Sequence, residues 1–331
     1  MSIHILATEH MTDLAKRVYD RLKDKDFTYA EVEYVNFACQ EVKPRIPTTV
    51  RGEDTYLFHS LFHPNPNDAM MKLLLTNDAL SRGSAESITL VLPYMSYLRQ
   101  DRKDEPRVPI SAKVMANLIQ TNPKVERVIT LDMHCDQIQG FYDIPVDNLY
   151  GSLILAEHFQ KEYSKNLRNL VVVSPDVGGI TRAKLFARYL DGRKTIGMIE
   201  KEHSENTVNE VETLSYQGPS LNGKDAAFYD DMVDTAGSII KGSKLLRNLG
   251  AQKIYAVTPH GVLSPKYQST AEEKLRKAEI RLVVSDSIPR SEQYRTENKD
   301  WQSTVSLDQL LAKAILQTST VGGSVSSLFR R

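Results

Sequence analysis

The sequence predicts an α/β protein of two halves, each a mainly parallel sheet flanked by helices. Three observations predict it. The chain has 331 residues, enough at ~100 to 200 residues per domain for two domains or one large one. Short apolar, β-rich runs alternate with longer segments of helical period, the pattern of crossover-connected parallel strands. That alternation restarts after Tyr150.

In the first half, strands read at Ile3 to Leu6, Ala30 to Val35, Thr55 to Ser60, Ile88 to Leu92 and Arg127 to Leu131. Helices read at Thr12 to Leu22, with Leu14, Val18 and Leu22 on one stripe, and at Asp68 to Arg82, where Ala69, Leu73 and Ala79 recur at helical spacing. In the second half, strands read at Leu170 to Ser174, Thr195 to Ile199, Ala226 to Tyr229, Lys253 to Val257 and Ile280 to Val284, with helices near Ile180 to Leu190 and Ser238 to Leu249. Lys201 to Gly223 lacks strong periodicity and reads as a flap rather than a packed element. Ser306 with Gln309 predicts a capping box for a last helix through Leu316. The expected domains are 1–148, 149–305 and a C-terminal helix and tail, 306–331.

Composition narrows the chemistry. Lys plus Arg and Asp plus Glu are 42 each, so no overall field draws the chain to nucleic acid or an anionic membrane. A hydrophobic fraction of 41% and mean hydropathy of -0.37 fit a soluble globular protein. Cys39 and Cys135 are the only cysteines, and the N-terminal stretch lacks a long apolar core, which makes a reducing, cytoplasmic location the expectation.

In an open α/β sheet ligands gather at the carboxyl ends of strands, and that is where the informative segments fall. In Ala226 to Ser238 (AAFYDDMVDTAGS) an apolar strand ends in two acids, and a small-residue turn opens a helix. Backbone amides and the Thr235 and Ser238 hydroxyls suit a phosphate there, with Asp230 and Asp231 facing sugar hydroxyls or a metal. Ser174 to Ile180 (SPDVGGI) is a second such turn: its glycines allow close approach to a pyrophosphate, and Asp176 offers a hard oxygen for Mg²⁺ or, alternatively, an N-cap. Arg99-Gln-Asp-Arg-Lys103 places three cations after the strand ending at Pro93, and guanidinium forks suit phosphate oxygens. His134 also follows a strand. Lys201-Glu-His203 begins the flap, where a cation can close over a polyphosphate. The sequence contains no Walker A motif, GxGxxG or nucleophile triad.

Together these segments resemble the phosphoribosyl pyrophosphate synthetase (ribose-phosphate pyrophosphokinase) family over nearly the whole chain. The resemblance rests on Val50 to Asp54 (VRGED), Pro93 to Lys103 (PYMSYLRQDRK), Leu131 to Tyr150 (LDMHCDQIQGFYDIPVDNLY), SPDVGG, YDDMVDTAGS, Thr258 to Ser264 (TPHGVLS) and the C-terminal SVSSLF. It implies two phosphoribosyltransferase-like domains, the first on the ATP side. The implied reaction is Mg²⁺-dependent transfer of the pyrophosphoryl group of ATP to the C1 hydroxyl of ribose 5-phosphate. It also implies a homo-oligomer, commonly a hexamer built from dimers.

By matching positions, Asp230, Asp231, Asp234, Thr235, Ala236, Gly237 and Ser238 would hold ribose 5-phosphate. Phe37, Cys39, Gln40, Glu41, Arg99, Gln100, Asp101, Arg102 and Lys103 would serve ATP. Asp176, Val177, Gly178 and Gly179 would form the pyrophosphate loop. His134 and Asp176 would ligate Mg²⁺ or its waters, and Lys201 and His203 would act in catalysis. The sequence departs from the family at Phe37 to Glu41, where Phe-x-Asp-Gly-Glu is expected, at Lys201-Glu-His203, where Lys-Arg-Arg is expected, and in a slightly longer flap. These departures keep two alternatives open, a different ribosyl acceptor such as ADP-ribose and a non-catalytic regulatory paralogue; a phosphoribosyltransferase, which the DD-x-x-DTAGS element alone would also fit, is opposed by RQDRK and the extensive first-half match.

Overall fold

The computed structural model describes residues 3–203, 212–265 and 269–329, with only the backbone at 164–166, 201–203 and 212–213. It divides into two compact units. The first comprises Met1–Tyr150, Ser287–Pro289 and Ser306–Arg331; the second comprises Gly151–Asp286 and Arg290–Val305.

In the first unit the elements run β1 (Ile3–Ala7), α1 (Thr12–Leu22), β2 (Phe27–Glu31), β3 (Glu33–Asn36), β4 (Val42–Arg45), β5 (Asp54–Phe58), α2 (Pro66–Arg82), β6 (Ser87–Leu92), α3 (Ser111–Ile119), β7 (Val125–Leu131) and β8 (Val146–Leu149). The main sheet has the order β2-β1-β5-β6-β7-β8, all parallel. β5 and β6 are buried at nearly every position, as strands covered on both faces must be.

Helix α2 starts at Pro66, two residues before the expected Asp68. The Asn65 side chain accepts from the amides of Asn67 and Asp68 at 3.1 Å each, and Pro66 fits the first turn, where no amide partner is needed.

One expected strand is corrected. Ala30 to Val35 divides at Val32: β2 joins the main sheet, whereas β3 pairs antiparallel with β4 in a separate hairpin. Val32 is 5% exposed, yet Tyr34 and Val35 on the hairpin keep partial or full exposure. The apolar run therefore spans two environments.

In the second unit the order is α4 (Ser152–Tyr163), β9 (Leu170–Ser174), α5 (Ile180–Asp191), β10 (Gly197–His203), β11 (Glu212–Gln217), β12 (Asp225–Tyr229), β13 (Met232–Val233), α6 (Gly237–Asn248), β14 (Ile254–Thr258), β15 (His260–Gly261), α7 (Ala271–Lys277), β16 (Ile280–Ser285), α8 (Glu292–Asn298) and β17 (Gln302–Val305). The sheet order is β11-β10-β9-β12-β14-β16-β17, parallel except for the β10–β11 ribbon. That ribbon corrects the reading that no part of Lys201 to Gly223 is a packed element. Leu214 and Tyr216 alternate toward the core and bring Glu212–Gln217 against β10. Residues 204–211 lie outside the described residues.

The last helix, α9 (Asp308–Ser319), belongs to the first unit. It lies against α1, with Arg21 Nε donating to Asp308 Oδ2 at 2.5 Å. The predicted capping box does not form. Ser306 Oγ accepts from the Asp308 amide at 3.3 Å, but Leu307 holds the N-cap position, and the helix continues past Leu316.

Candidate functional site

Two loops at the carboxyl ends of adjacent strands β9 and β12 build the site in the second unit. After β9, Ser174 Oγ donates to the Asp176 carbonyl at 2.6 Å, and Asp176 Oδ1 accepts from the Gly179 amide at 2.9 Å. Asp176 thus fixes its own loop ahead of α5, whose N-cap residue is Gly179 and not Asp176. A Cβ at Gly179 would stand 2.8 Å from Ser174 Oγ, 3.4 Å from Asp230 Oδ1 and 3.6 Å from Asp176 Oδ1. The absence of a side chain at this residue lets the two loops meet.

After β12 come Asp230 and Asp231. This segment is zipped to the TPHG segment by the short parallel pair β13–β15, with the His260 amide donating to the Asp231 carbonyl at 3.1 Å and the Leu263 amide to the Val233 carbonyl at 3.0 Å. Ala236 then adopts φ +59° and opens α6 at Gly237. Ala236 has no side-chain acceptor, so the N-cap residue offers nothing to the first amides of α6.

Arg182, one turn into α5, reaches both acids: its Nη2 donates to Asp230 Oδ1 at 2.6 Å and Asp231 Oδ1 at 3.2 Å. The Asp231 side chain is 3% exposed and that of Asp230 19%. Burial and the charge of Asp231 push the Asp230 carboxyl up to about 7, with Arg182 opposing. Burial favours the neutral form of Arg182, but Asp231 and Asp230 outweigh it and raise its proton affinity.

In the first unit, the Arg99 to Lys103 loop follows β6. Gln100 accepts from the Ala112 amide through its carbonyl at 3.1 Å, and its side chain bonds the Ser111 hydroxyl. Arg102 and Lys103 are exposed. The His134 segment follows β7 and approaches this loop: Cys135 Sγ donates to Asp101 Oδ2 at 2.9 Å. Burial, then the hydrogen bond and charge of Asp101, push the Cys135 thiol up to about 11. Phe37 to Glu41 form the exposed tip of the β3–β4 hairpin, closed by the Phe37 amide to the Glu41 carbonyl at 2.9 Å. Gln40 there adopts φ +72°, the region that favours glycine.

The N-terminal domain model of ribose phosphate pyrophosphokinase matches residues 3–122, and the phosphoribosyl synthetase-associated domain model matches residues 216–330. A Rhizobium meliloti ribose-phosphate pyrophosphokinase is 42% identical over 88% of this chain and 90% of its own. This chain belongs to the ribose-phosphate pyrophosphokinase family. A Fusobacterium nucleatum ribose-phosphate pyrophosphokinase is 37% identical over 99% of this chain and 98% of its own. The crystal structure of phosphoribosylpyrophosphate synthetase from Mycobacterium smegmatis superposes with a TM-score of 0.81 and 32% identity, covering 96% of this chain and 99% of that one.

For this pyrophosphokinase-family chain, the structure gathers Asp176, Gly178, Gly179 and Asp230 in one place, with Asp231 joined to Asp230 through Arg182 and Asp234 to Ser238 following after β13 at the head of α6. It joins the His134 and Arg99 to Lys103 loops through Cys135 and Asp101. His134 and Asp176 fall in different units. Among the described residues no three His, Cys, Asp or Glu side chains form a ready-made metal cluster. The side chains of Lys201 and His203 lie outside the described residues. Sequence reasoning missed Arg182, which stands one turn after the GG of the Asp176 loop but meets partners distant in sequence.

Proposed function

We propose that this chain transfers the β,γ-pyrophosphoryl group of ATP to the C1 hydroxyl of ribose 5-phosphate, releasing AMP and phosphoribosyl pyrophosphate. The observation that carries this reading is the meeting of the Asp176 loop and the Asp230 turn across Gly179. A sugar phosphate and a pyrophosphate would thereby sit side by side at strand ends. Family membership supplies the reaction; the geometry supplies the roles.

The phosphate of ribose 5-phosphate sits in the Asp234 to Ser238 turn, and Asp230 accepts from ring hydroxyls. Gly178 and Gly179 bring backbone amides to the transferring group. Arg99, Gln100, Arg102 and Lys103 bind the triphosphate, and the Phe37 to Glu41 tip supplies the nucleotide contact in a homo-oligomer. Asp176, whose Oδ1 is held by the Gly179 amide, offers its other hard oxygen to Mg²⁺, which takes one or two carboxylates and completes its shell with water and phosphate. His134 is a further candidate ligand. When bound, Mg²⁺ neutralises charge on the transferring phosphates.

Little covalent chemistry is asked of the protein. Its residues align the C1 oxygen with the β-phosphorus and compensate charge. Lys201 supplies cationic charge in the transition state, so Lys201→Ala lowers turnover far more than substrate affinity.

Phosphorus NMR of purified protein with ATP, Mg²⁺ and ribose 5-phosphate tests the reading: AMP and phosphoribosyl pyrophosphate accumulate in equal amounts. AMP formed without acceptor, or product formed from ADP-ribose but not from ribose 5-phosphate, would reject it. The second acceptor is included because Glu202 and His203 replace two arginines expected by resemblance.

A further inference from the structure

We infer that Arg182 is a positioning residue for sugar recognition: held by Asp231, it locks the Asp230 carboxylate so that a single oxygen, Oδ2, faces the ribose hydroxyls. The inference deepens the proposed pyrophosphoryl transfer and rests on it.

The geometry separates the two acids, which the sequence alone treats as a pair. Asp231 is 3% exposed in its side chain and has almost no surface for a ligand; Asp230 is 19% exposed. Asp230 Oδ1 accepts twice, from Arg182 Nη2 at 2.6 Å and from the Asp231 amide at 2.9 Å. Both of these donors go to Oδ1, which leaves Oδ2 as the oxygen available to a ligand. Two donors on one oxygen fix the rotation of the carboxylate, and charge-assisted bonds are the strong ones.

Arg182 is itself anchored. Its Nη2 also reaches Asp231 Oδ1 at 3.2 Å, and it extends from α5, whose first turn is fixed by the bond from the Gly179 amide to Asp176. The guanidinium therefore spans the pyrophosphate loop's helix and the sugar-binding turn. A single nitrogen, Nη2, serves both acids, so the ammonium of lysine, with several donors on one nitrogen, can take over part of this role.

Without Arg182, two buried acids face each other with no cation from α5 between them. Asp230 would then turn away or take up a proton, and in either state it is a poorer acceptor for sugar hydroxyls. The loss should appear chiefly in sugar-phosphate affinity, since the side chains proposed for the triphosphate, Arg99, Gln100, Arg102 and Lys103, lie on another loop and Arg182 reaches the two acids of the sugar turn.

The test uses the full chain and its Arg182→Gln and Arg182→Lys variants. Ribose 5-phosphate binding is measured by calorimetry in EDTA, and steady-state KM is measured for each substrate in Mg²⁺. Arg182→Gln should weaken ribose 5-phosphate about 10-fold in both measurements while KM for ATP stays within about twofold, and Arg182→Lys should recover part of the loss. Ribose 5-phosphate affinity within twofold of wild type for Arg182→Gln, or an equal rise in both KM values, would overturn the inference. If circular dichroism shows Arg182→Gln to be unfolded, Arg182→Lys decides: a selective loss of about threefold for ribose 5-phosphate supports the role, and unchanged affinity refutes it. Absence of binding by the wild type would instead count against the proposed function, because the variant ratio is read only where the wild type binds.

Discussion

Cys135 donates its thiol hydrogen to Asp101 across 2.9 Å, tying the residue after His134 to the middle of the cationic loop. The thiol is pushed up to about 11 by burial and by Asp101, so at neutral pH it is a hydrogen-bond donor and a poor nucleophile. Iodoacetamide at pH 7.5 should modify exposed Cys39 and leave Cys135 at least about 10-fold slower, read by peptide mass spectrometry. Fast labelling of Cys135 would show that the thiol is not held by Asp101.

Gln40 occupies φ +72° at the hairpin tip, where resemblance to the family predicts glycine. An L-residue there costs ~1–2 kcal/mol, partly offset by the greater freedom that glycine loses on folding. Gln40→Gly should therefore stabilise the hairpin by a few tenths to about 1 kcal/mol, seen as slower amide exchange at the Phe37 amide that closes the turn. Faster exchange would count against strain at this position.

Gly179→Ala places a methyl 2.8 Å from Ser174 Oγ, and Ser174 is fully buried and committed to the Asp176 carbonyl. The loop must shift, at ~1–3 kcal/mol. We expect kcat/KM for ribose 5-phosphate to fall at least about 10-fold while circular dichroism remains native. Full activity would mean that the two loops need not meet this closely.

Asp230 gives stability a pH slope of definite sign. Its folded carboxyl is raised to about 7, whereas an unfolded aspartate titrates near ~4. Between these values the folded state binds more protons, so stability falls as pH rises through that window. Asp230→Asn should flatten the melting temperature against pH between about 4 and 7, by scanning calorimetry. An unchanged slope would assign the proton to another group.

Much of the fold was legible because buried parallel strands such as Leu170–Ser174 are continuous apolar runs, and helices such as α1 carry one buried stripe. The hairpin β3–β4 was not legible: Val32 joins two strands without a turn signal, and the hairpin's partner strand, Val42–Arg45, is only four residues long and contains a proline. The ribbon strand β11 was hidden by a charged segment before it. In the site, acids directly after strands announced themselves locally. Arg182 did not, because its partner Asp230 is 48 residues away, and nothing in a helical Arg-Ala-Lys segment records which face meets another strand. The β13–β15 pair was too short, at two residues each, to leave a periodic trace.

The left-handed Ala236 at the head of α6 bears on how a ligand is received. Because an alanine rather than a glycine sits at φ +59°, the surrounding packing already maintains a shape that the bare chain would abandon. Under the proposed function, a phosphate at this turn would meet a backbone whose bend is kept by packing rather than by the ligand.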